Sequence, residues 1–379
     1  MKATALVIFL LAVFSTSASA QTPTDLIVDK ALAEFGKALF FDTNLSKQRT
    51  QSCATCHMPQ LGFIDPRPNV TDGAVSLGDD GKSLGDRNTP TLSYAALTPR
   101  FRLDTNNQHI GGLFNDGRAE DLIEQAKEPL LNPMEMALDD SAMLSARIHE
   151  NTAYTRHVAQ LFDADTLAEP DQLHTAIARA LAEFEKTATF LPFDSKYDRY
   201  LRGEYQMTRL EKTGFTLFFS GLLNCNGCHE LDTDKRSQTF TDFTYHNIGV
   251  PANQRVRALN GSTTTHRDLG LFDNPRVSDP AQQGKFKVPT LRNVAVTAPY
   301  MHNGVFAELE TVLHFYNKYL IRDTANPETN QPWRSPEVDG NLSMDLLTRG
   351  QPLSKMHIDA LHAFLEALTD RQFEHLLVE

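Results

Sequence analysis

All four cysteines of this 379-residue chain fall in two copies of one pattern, Cys53-Ala54-Thr55-Cys56-His57 and Cys225-Asn226-Gly227-Cys228-His229. C-x-x-C-H is the attachment signature of a c-type haem, in which two thioethers hold the porphyrin and the adjacent imidazole reaches the iron. With 13 histidines in the chain, both pairs being followed by His by chance has odds of roughly one in a thousand. The competing readings are thioredoxin-like redox pairs and a zinc site shared by the thiols. The expectation is two covalent haems attached through Cys53, Cys56, Cys225 and Cys228. His57 and His229 are then the proximal iron ligands, and no thiol is left for a disulfide.

Residues 1–20 read as an export signal. Lys2 gives a positive start, Ala5 to Phe14 is an apolar run, and Ala18-Ser19-Ala20 is a small-residue cleavage site. The run is too short to cross a bilayer, which takes about 20 residues. Export places the chain in an oxidising compartment, the periplasm. Loss of Lys2 with the signal takes the formal charge from −12 to −13. A basic footprint for nucleic acid is therefore missing, while steering of a basic protein partner stays open beside the plainer reading that acidity serves solubility.

The chain contains a long internal duplication. Gly36-Lys37-Ala38-Leu39-Phe40-Phe41 precedes the first haem motif, and Gly214-Phe215-Thr216-Leu217-Phe218-Phe219 precedes the second. Pro90-Thr91-Leu92 recurs as Pro289-Thr290-Leu291, and Phe114-Asn115-Asp116-Gly117 as Met301-His302-Asn303-Gly304. Most of the chain reads as helix: Thr208-Arg209-Leu210-Glu211 is a capping box, and Ala176 to Phe184 has the apolar spacing of a one-sided helix. Phe240 to Val250 reads as strand, and 65–90 and 273–284 read as loops. The fold class is mainly α, with a cytochrome c-like helical domain at 21–191, a second at 192–379, and one covalent haem in each.

The segments after the Asp-Gly and Asn-Gly turns align without a gap and set Pro129 opposite Tyr316. If this helix covers the distal face of each haem, one iron is offered a phenol and the other a proline, which cannot ligate. An iron closed on both sides suits electron transfer, whereas an open one can bind a small oxidant. Gln125 and Glu135 stand on the open side, where an amide or carboxylate can assist proton movement between peroxide oxygens. The plainer reading of Glu135 is a solvated residue at a helix start.

The runs Phe114-Asn115-Asp116-Gly117-Arg118-Ala119, Glu124-Gln125-Ala126, Asn132-Pro133-Met134-Glu135-Met136, Lys287 to Asn293 and Ala298-Pro299-Tyr300-Met301-His302 resemble the bacterial dihaem cytochrome c peroxidase and MauG family over nearly the whole mature chain. The resemblance implies two cytochrome c-like domains, with the peroxidatic haem on His57, the electron-transfer haem on His229, and Gln125 and Glu135 in the peroxide pocket. It further implies a calcium ion held by the Asn88 side chain and the carbonyls of Thr297 and Pro299, with Arg118 and Arg292 near haem propionates. Surface ion pairs are the plainer reading of both arginines. Members are often dimers, so a homodimer belongs to the expectation.

The chain departs from the family pattern in three ways. No His lies between His57 and Asn88, where peroxidase-type members carry a displaceable distal His, so the first iron is expected to stay open. Tyr316 stands where many members place a Met ligand, with Met301 as the alternative ligand. The bridging Trp of the family is Asn115, a second relay Trp is Leu223, and the only tryptophan, Trp333, reads as a packing residue. The resulting expectation is a periplasmic peroxidase that reduces hydrogen peroxide with electrons from a cytochrome c or another redox protein. Two alternatives stand beside it: a MauG-like oxidase acting on Trp or Tyr side chains of a partner protein, and a non-catalytic electron carrier.

Overall fold

The computed structural model describes residues 27–231, 239–263, 265–321 and 324–377; the export signal expected at 1–20 lies outside them. Three helices frame the first half, α1 (Lys30–Phe40), α2 (Leu122–Leu131) and α3 (Pro170–Glu185). Their counterparts in the second are α4 (Arg209–Phe218), α5 (Leu309–Asn317) and α6 (Lys355–Glu366). Local chemistry starts them as expected. The Asp29 carboxylate accepts from the N–H groups of Ala31 and Leu32, Pro170 opens α3, and Thr208 and Glu211 form the capping box that begins α4.

The repeated glycine sets how each half packs. A Cβ on Gly36 would lie 1.9 Å from the Ala180 carbonyl oxygen, and one on Gly214 would lie 1.8 Å from that of Ala360. The next neighbours are the Cβ atoms of Phe184 and Phe364. The same close crossing, α1 on α3 and α4 on α6, is therefore built twice and tolerates only glycine. Gly36→Ala or Gly214→Ala should each cost about 3 kcal/mol, the upper part of the overpacking range, in denaturant melts of the haem-loaded protein. An unchanged midpoint would show that the helices separate freely.

The duplication extends to backbone conformation. Phe114 and Gly117 have φ of 61° and 69°, and their counterparts Met301 and Gly304 have 71° and 61°. Each turn is closed by an antiparallel bridge, Leu113 with Ala119 and Tyr300 with Phe306. Side chains at non-glycine positive φ carry a conformational cost, so their recurrence marks a shared device.

Two large apolar cores result, beside two small clusters around Val75 and Leu271. The first runs from Leu32 to Phe193 and the second from Tyr197 to Leu368, so the chain changes core between Phe193 and Tyr197. Phe373, in the final turn, returns to the first core and straps the halves together. The strand expected over 240–250 shrinks to Tyr245–His246, paired antiparallel with Phe286–Lys287. Left-handed backbone at Phe240 and Phe243, with φ of 57° and 59°, interrupts any longer extended run. The loops at 65–90 and 273–284 contain no α-helix. Trp333 packs edge-on against Phe306 and Phe315 and donates to the Thr324 hydroxyl at 3.0 Å.

Candidate active site

A cavity of about 910 Å³ runs through both halves, and its walls include both C-x-x-C-H motifs. Each motif forms one tight turn. The His57 N–H donates to the Cys53 carbonyl at 2.8 Å and the His229 N–H to the Cys225 carbonyl at 3.2 Å, which brings two thiols and an imidazole to the same wall. No disulfide joins any of the four cysteines. The two imidazoles are held alike. His57 Nδ1 lies 3.2 Å from the Phe63 carbonyl and His229 Nδ1 3.0 Å from the Phe240 carbonyl. A carbonyl only accepts, so Nδ1 carries the proton and Nε2 keeps its lone pair. Burial lowers both pKa values, that of His229 to about 4, so both rings are neutral, the form that binds iron. This set of thiols, neutral imidazoles and a large cavity fits two c-type haems.

The two residues that the duplication aligns are both cavity residues. Pro129 on α2 and Tyr316 on α5 both line the cavity. Burial holds the Tyr316 phenol well above its usual range, so it would release its proton only to a cation in its place. Gln125 also lines the cavity from α2, and Glu135 joins it from the segment after that helix. The Asn132 side-chain amide donates to Glu135 Oε1 at 2.8 Å. Burial raises the Glu135 carboxyl above the ordinary range, and the Arg118 charge opposes that shift. Glu135 is thus a cavity-facing carboxyl and not the solvated helix-start residue of the plainer reading.

Asn88, Thr297 and Pro299 all reach this cavity. The Asn88 N–H donates to the His302 carbonyl at 2.8 Å, and its side-chain nitrogen donates to the Ala74 carbonyl at 3.1 Å. That fixes Asn88 at the meeting of two loops from different halves. The neutral oxygens of these three residues are of the kind a hard cation accepts.

The two arginines part company. Arg118 lines the cavity, stacks on the Phe114 ring at 3.6 Å, and pairs with Asp116 at 3.0 Å and Glu128 at 2.9 Å. Arg292 is not among the residues lining it. It has no exposed surface, and its two terminal nitrogens meet the Asp198 carboxylate at 2.8 and 2.9 Å. The surface-pair reading fails for Arg292, since an arginine in the close-packed junction needs a buried counter-ion.

Other cavity residues were not anticipated from the sequence. Arg87 bridges Asp116 at 2.6 Å and, with two nitrogens, Asp268 at 2.7 Å, tying the halves together. The Lys287 ammonium donates to the Gly112 carbonyl, and burial pushes it down to about 8. Glu185 is buried on the wall with Oε2 unpartnered, and burial pushes it up to about 8. Its spacing of four from Leu181 was the available signal, because it extends the apolar face of Ala176–Phe184 into a carboxyl.

Comparison with known proteins places this geometry. A family model described as di-haem cytochrome c peroxidase matches residues 30–206. The methylamine utilization protein MauG of Paracoccus denitrificans is 51% identical over 356 residues, covering 93% of this chain and 92% of that one. Cytochrome c551 peroxidase of Nitrosomonas europaea is 29% identical, covering 86% and 83%. Among solved structures, the diheme peroxidase BthA of Burkholderia thailandensis superposes with a TM-score of 0.83 at 32% identity, covering 93% of this chain and 90% of that one. On these likenesses and on its paired haem-type cavity walls, the chain belongs to the di-haem cytochrome c peroxidase family.

Proposed function

We propose that the protein reduces hydrogen peroxide at a first haem, held by Cys53, Cys56 and His57, with electrons delivered through a second haem held by Cys225, Cys228, His229 and Tyr316. The observation that carries this reading is that Pro129 and Tyr316, which hold matching positions in the two repeats, both line the cavity that holds the two C-x-x-C-H motifs, with Tyr316 within reach of the Cys225 and Cys228 charges. The haems supply the redox chemistry when bound. The chain supplies the rest. Neutral imidazoles oriented through Phe63 and Phe240 present Nε2, and Pro129 leaves one face open. Gln125 orients the peroxide, and Glu135 takes the proton from one peroxide oxygen and returns it to the other. Tyr316 would hold the second haem through its phenol oxygen once the proton is released, and an anionic oxygen there would favour the oxidised haem.

Asn88, Thr297 and Pro299 are proposed to hold a calcium ion between the halves, supported by their all lining the one cavity and by the neutral oxygens they carry. A periplasmic location follows from the signal-like residues 1–20. Among the described residues no helix is long and apolar enough to cross a membrane.

The second reading is a MauG-like oxidase acting on a partner protein. It is favoured by the 51% identity to MauG, by Tyr316 and by the absence of a His between His57 and Asn88, while Asn115 and Leu223 weigh against a simple copy. Turnover with reduced cytochrome c separates the two. The peroxidase reading expects steady oxidation, and the oxidase reading expects poor turnover with a modified Trp or Tyr in a partner.

The resting protein should show one high-spin and one low-spin ferric haem by EPR, and the high-spin signal should respond to peroxide. Two low-spin haems with no response would instead identify an electron carrier. Tyr316→Met should raise the potential of the second haem and change its spectrum. An unchanged spectrum and potential would remove Tyr316 as ligand and turn attention to Met301.

A further inference from the structure

Electrons delivered at the second site must cross the junction between the halves, and Asn115 in the cavity wall has no side chain that can be oxidised and restored. The junction holds a different group. Tyr94 lies on the cavity wall with 2% of its surface exposed, and its hydroxyl donates to Asp370, 2.8 Å from Oδ1 and 3.0 Å from Oδ2. The same hydroxyl accepts from the Phe193 N–H at 3.0 Å, which fixes the direction of its own proton. Asp370 also accepts from the Asn293 side-chain amide at 2.8 Å and the Asp194 N–H at 3.2 Å. With donors arriving at both oxygens, it sits in the junction as a base.

Tyr94 also lies on a continuous packed line between the two proximal imidazoles. His57 Nδ1 bonds the carbonyl of Phe63, and the Phe63 ring stacks on Phe190 at 4.6 Å. The Phe190 carbonyl accepts from the Tyr94 N–H at 3.0 Å. The Arg292 guanidinium stands 4.8 Å from the Tyr94 ring and 5.9 Å from that of Phe240. The Phe240 carbonyl in turn accepts from His229 Nδ1 at 3.0 Å. Along this line Tyr94 is the side chain with both a low-cost electron and a base for the accompanying proton.

We infer that Tyr94, with Asp370 as its proton acceptor, is the oxidisable relay that passes electrons from the second haem site to the first. The inference rests on the peroxidase reading, which supplies the oxidant. When peroxide reduction has left the first site short of an electron, the Tyr94 phenol gives up one electron to it. Its O–H bond breaks, an O–H bond forms on Asp370, and a neutral phenoxyl radical remains. One electron from the second site and the proton returning from Asp370 restore the phenol, so charge at the buried junction never changes by more than the electron in transit. Burial beside Asp370 and Asp198 holds the phenol well above its usual pKa, which opposes loss of the proton unless the electron leaves with it.

The test is rapid mixing of the haem-loaded protein with hydrogen peroxide, following the absorbance of each haem separately, for wild type, Tyr94→Phe and Tyr197→Phe. Phe at 94 keeps the ring against Phe193 and Arg292. The expected result is an unchanged reaction of the first haem and a response of the second slowed at least about tenfold in Tyr94→Phe, each factor of ten corresponding to about 1.4 kcal/mol of barrier. The wild type should show a solvent deuterium isotope effect on that phase, lost in Tyr94→Phe, and Tyr197→Phe should match wild type. A wild-type rate with its isotope effect kept in Tyr94→Phe overturns the relay while leaving the peroxidase reading intact. No response of either haem to peroxide overturns the peroxidase reading and the relay with it. Should Tyr94→Phe fail to load haem, freeze-quenched wild type grown on ring-deuterated tyrosine decides: a narrowed organic radical signal supports Tyr94 as the carrier, and the absence of any tyrosine-derived signal overturns it.

Discussion

Glu135→Gln is expected to leave both haems attached, with resting spectra like those of the wild type, and to lower peroxide turnover by about 10²–10⁴-fold, the usual contribution of a positioned proton-transfer group. The amide keeps the shape of the side chain and can still meet Asn132, which donates to Glu135 Oε1 at 2.8 Å. What it lacks is the ability to take up and return a proton. The pH profile makes the test specific. A base must be ionised to act, and burial raises the Glu135 carboxyl above its ordinary range. Wild-type turnover should therefore rise with pH along an acid limb displaced upward from that of an exposed glutamate, and this limb should vanish in the variant. A variant within threefold of wild type, or one that keeps the limb, would assign the proton transfer to another group.

Arg292→Ala should be the most destabilising single substitution at the domain junction, costing about 3–5 kcal/mol in denaturant unfolding of the haem-loaded protein. Its guanidinium is fully buried and bidentate to Asp198 at 2.8 and 2.9 Å. It also stacks on the rings of Tyr94 and Phe193 at 4.8 and 4.5 Å. Truncation leaves the Asp198 carboxylate, itself 5% exposed, with its main counter-charge gone, and the desolvation penalty of that carboxylate is then uncompensated. Asp198 accepts as well from the Ser195 N–H at 2.9 Å, where the chain passes from the first core to the second, so the loss should reach both halves as one cooperative change. A loss under about 1 kcal/mol would mean the pair is balanced by water entering the junction.

Much of the site could be read from order and spacing. The C-x-x-C-H pentapeptides name their own chemistry, because covalent attachment and ligation need those residues within one turn. The duplication could also be read, since its glycines, turns and Pro-Thr-Leu runs keep their order, and with it came the alignment of Pro129 with Tyr316, both of which line the cavity. Gln125 and Glu135 were reachable through the same register. The expected strand over 240–250 failed because positive φ at Phe240 and Phe243 depends on where the Phe240 carbonyl must point to meet His229, a tertiary demand that outweighs local propensity.

The chain's order of residues therefore determined by itself the helical class, the two C-x-x-C-H turns and the difference between Pro129 and Tyr316 at matching places of the repeat, all of which rest on contacts within one turn or on a repeat. The tertiary structure alone decided that Arg292 meets Asp198, that Arg87 joins Asp116 to Asp268, and that Tyr94 meets Asp370, residues 276 positions apart. Pairings of that separation are selected by which buried charges and polar groups must be satisfied once the two cores close on each other, and no local pattern records that choice.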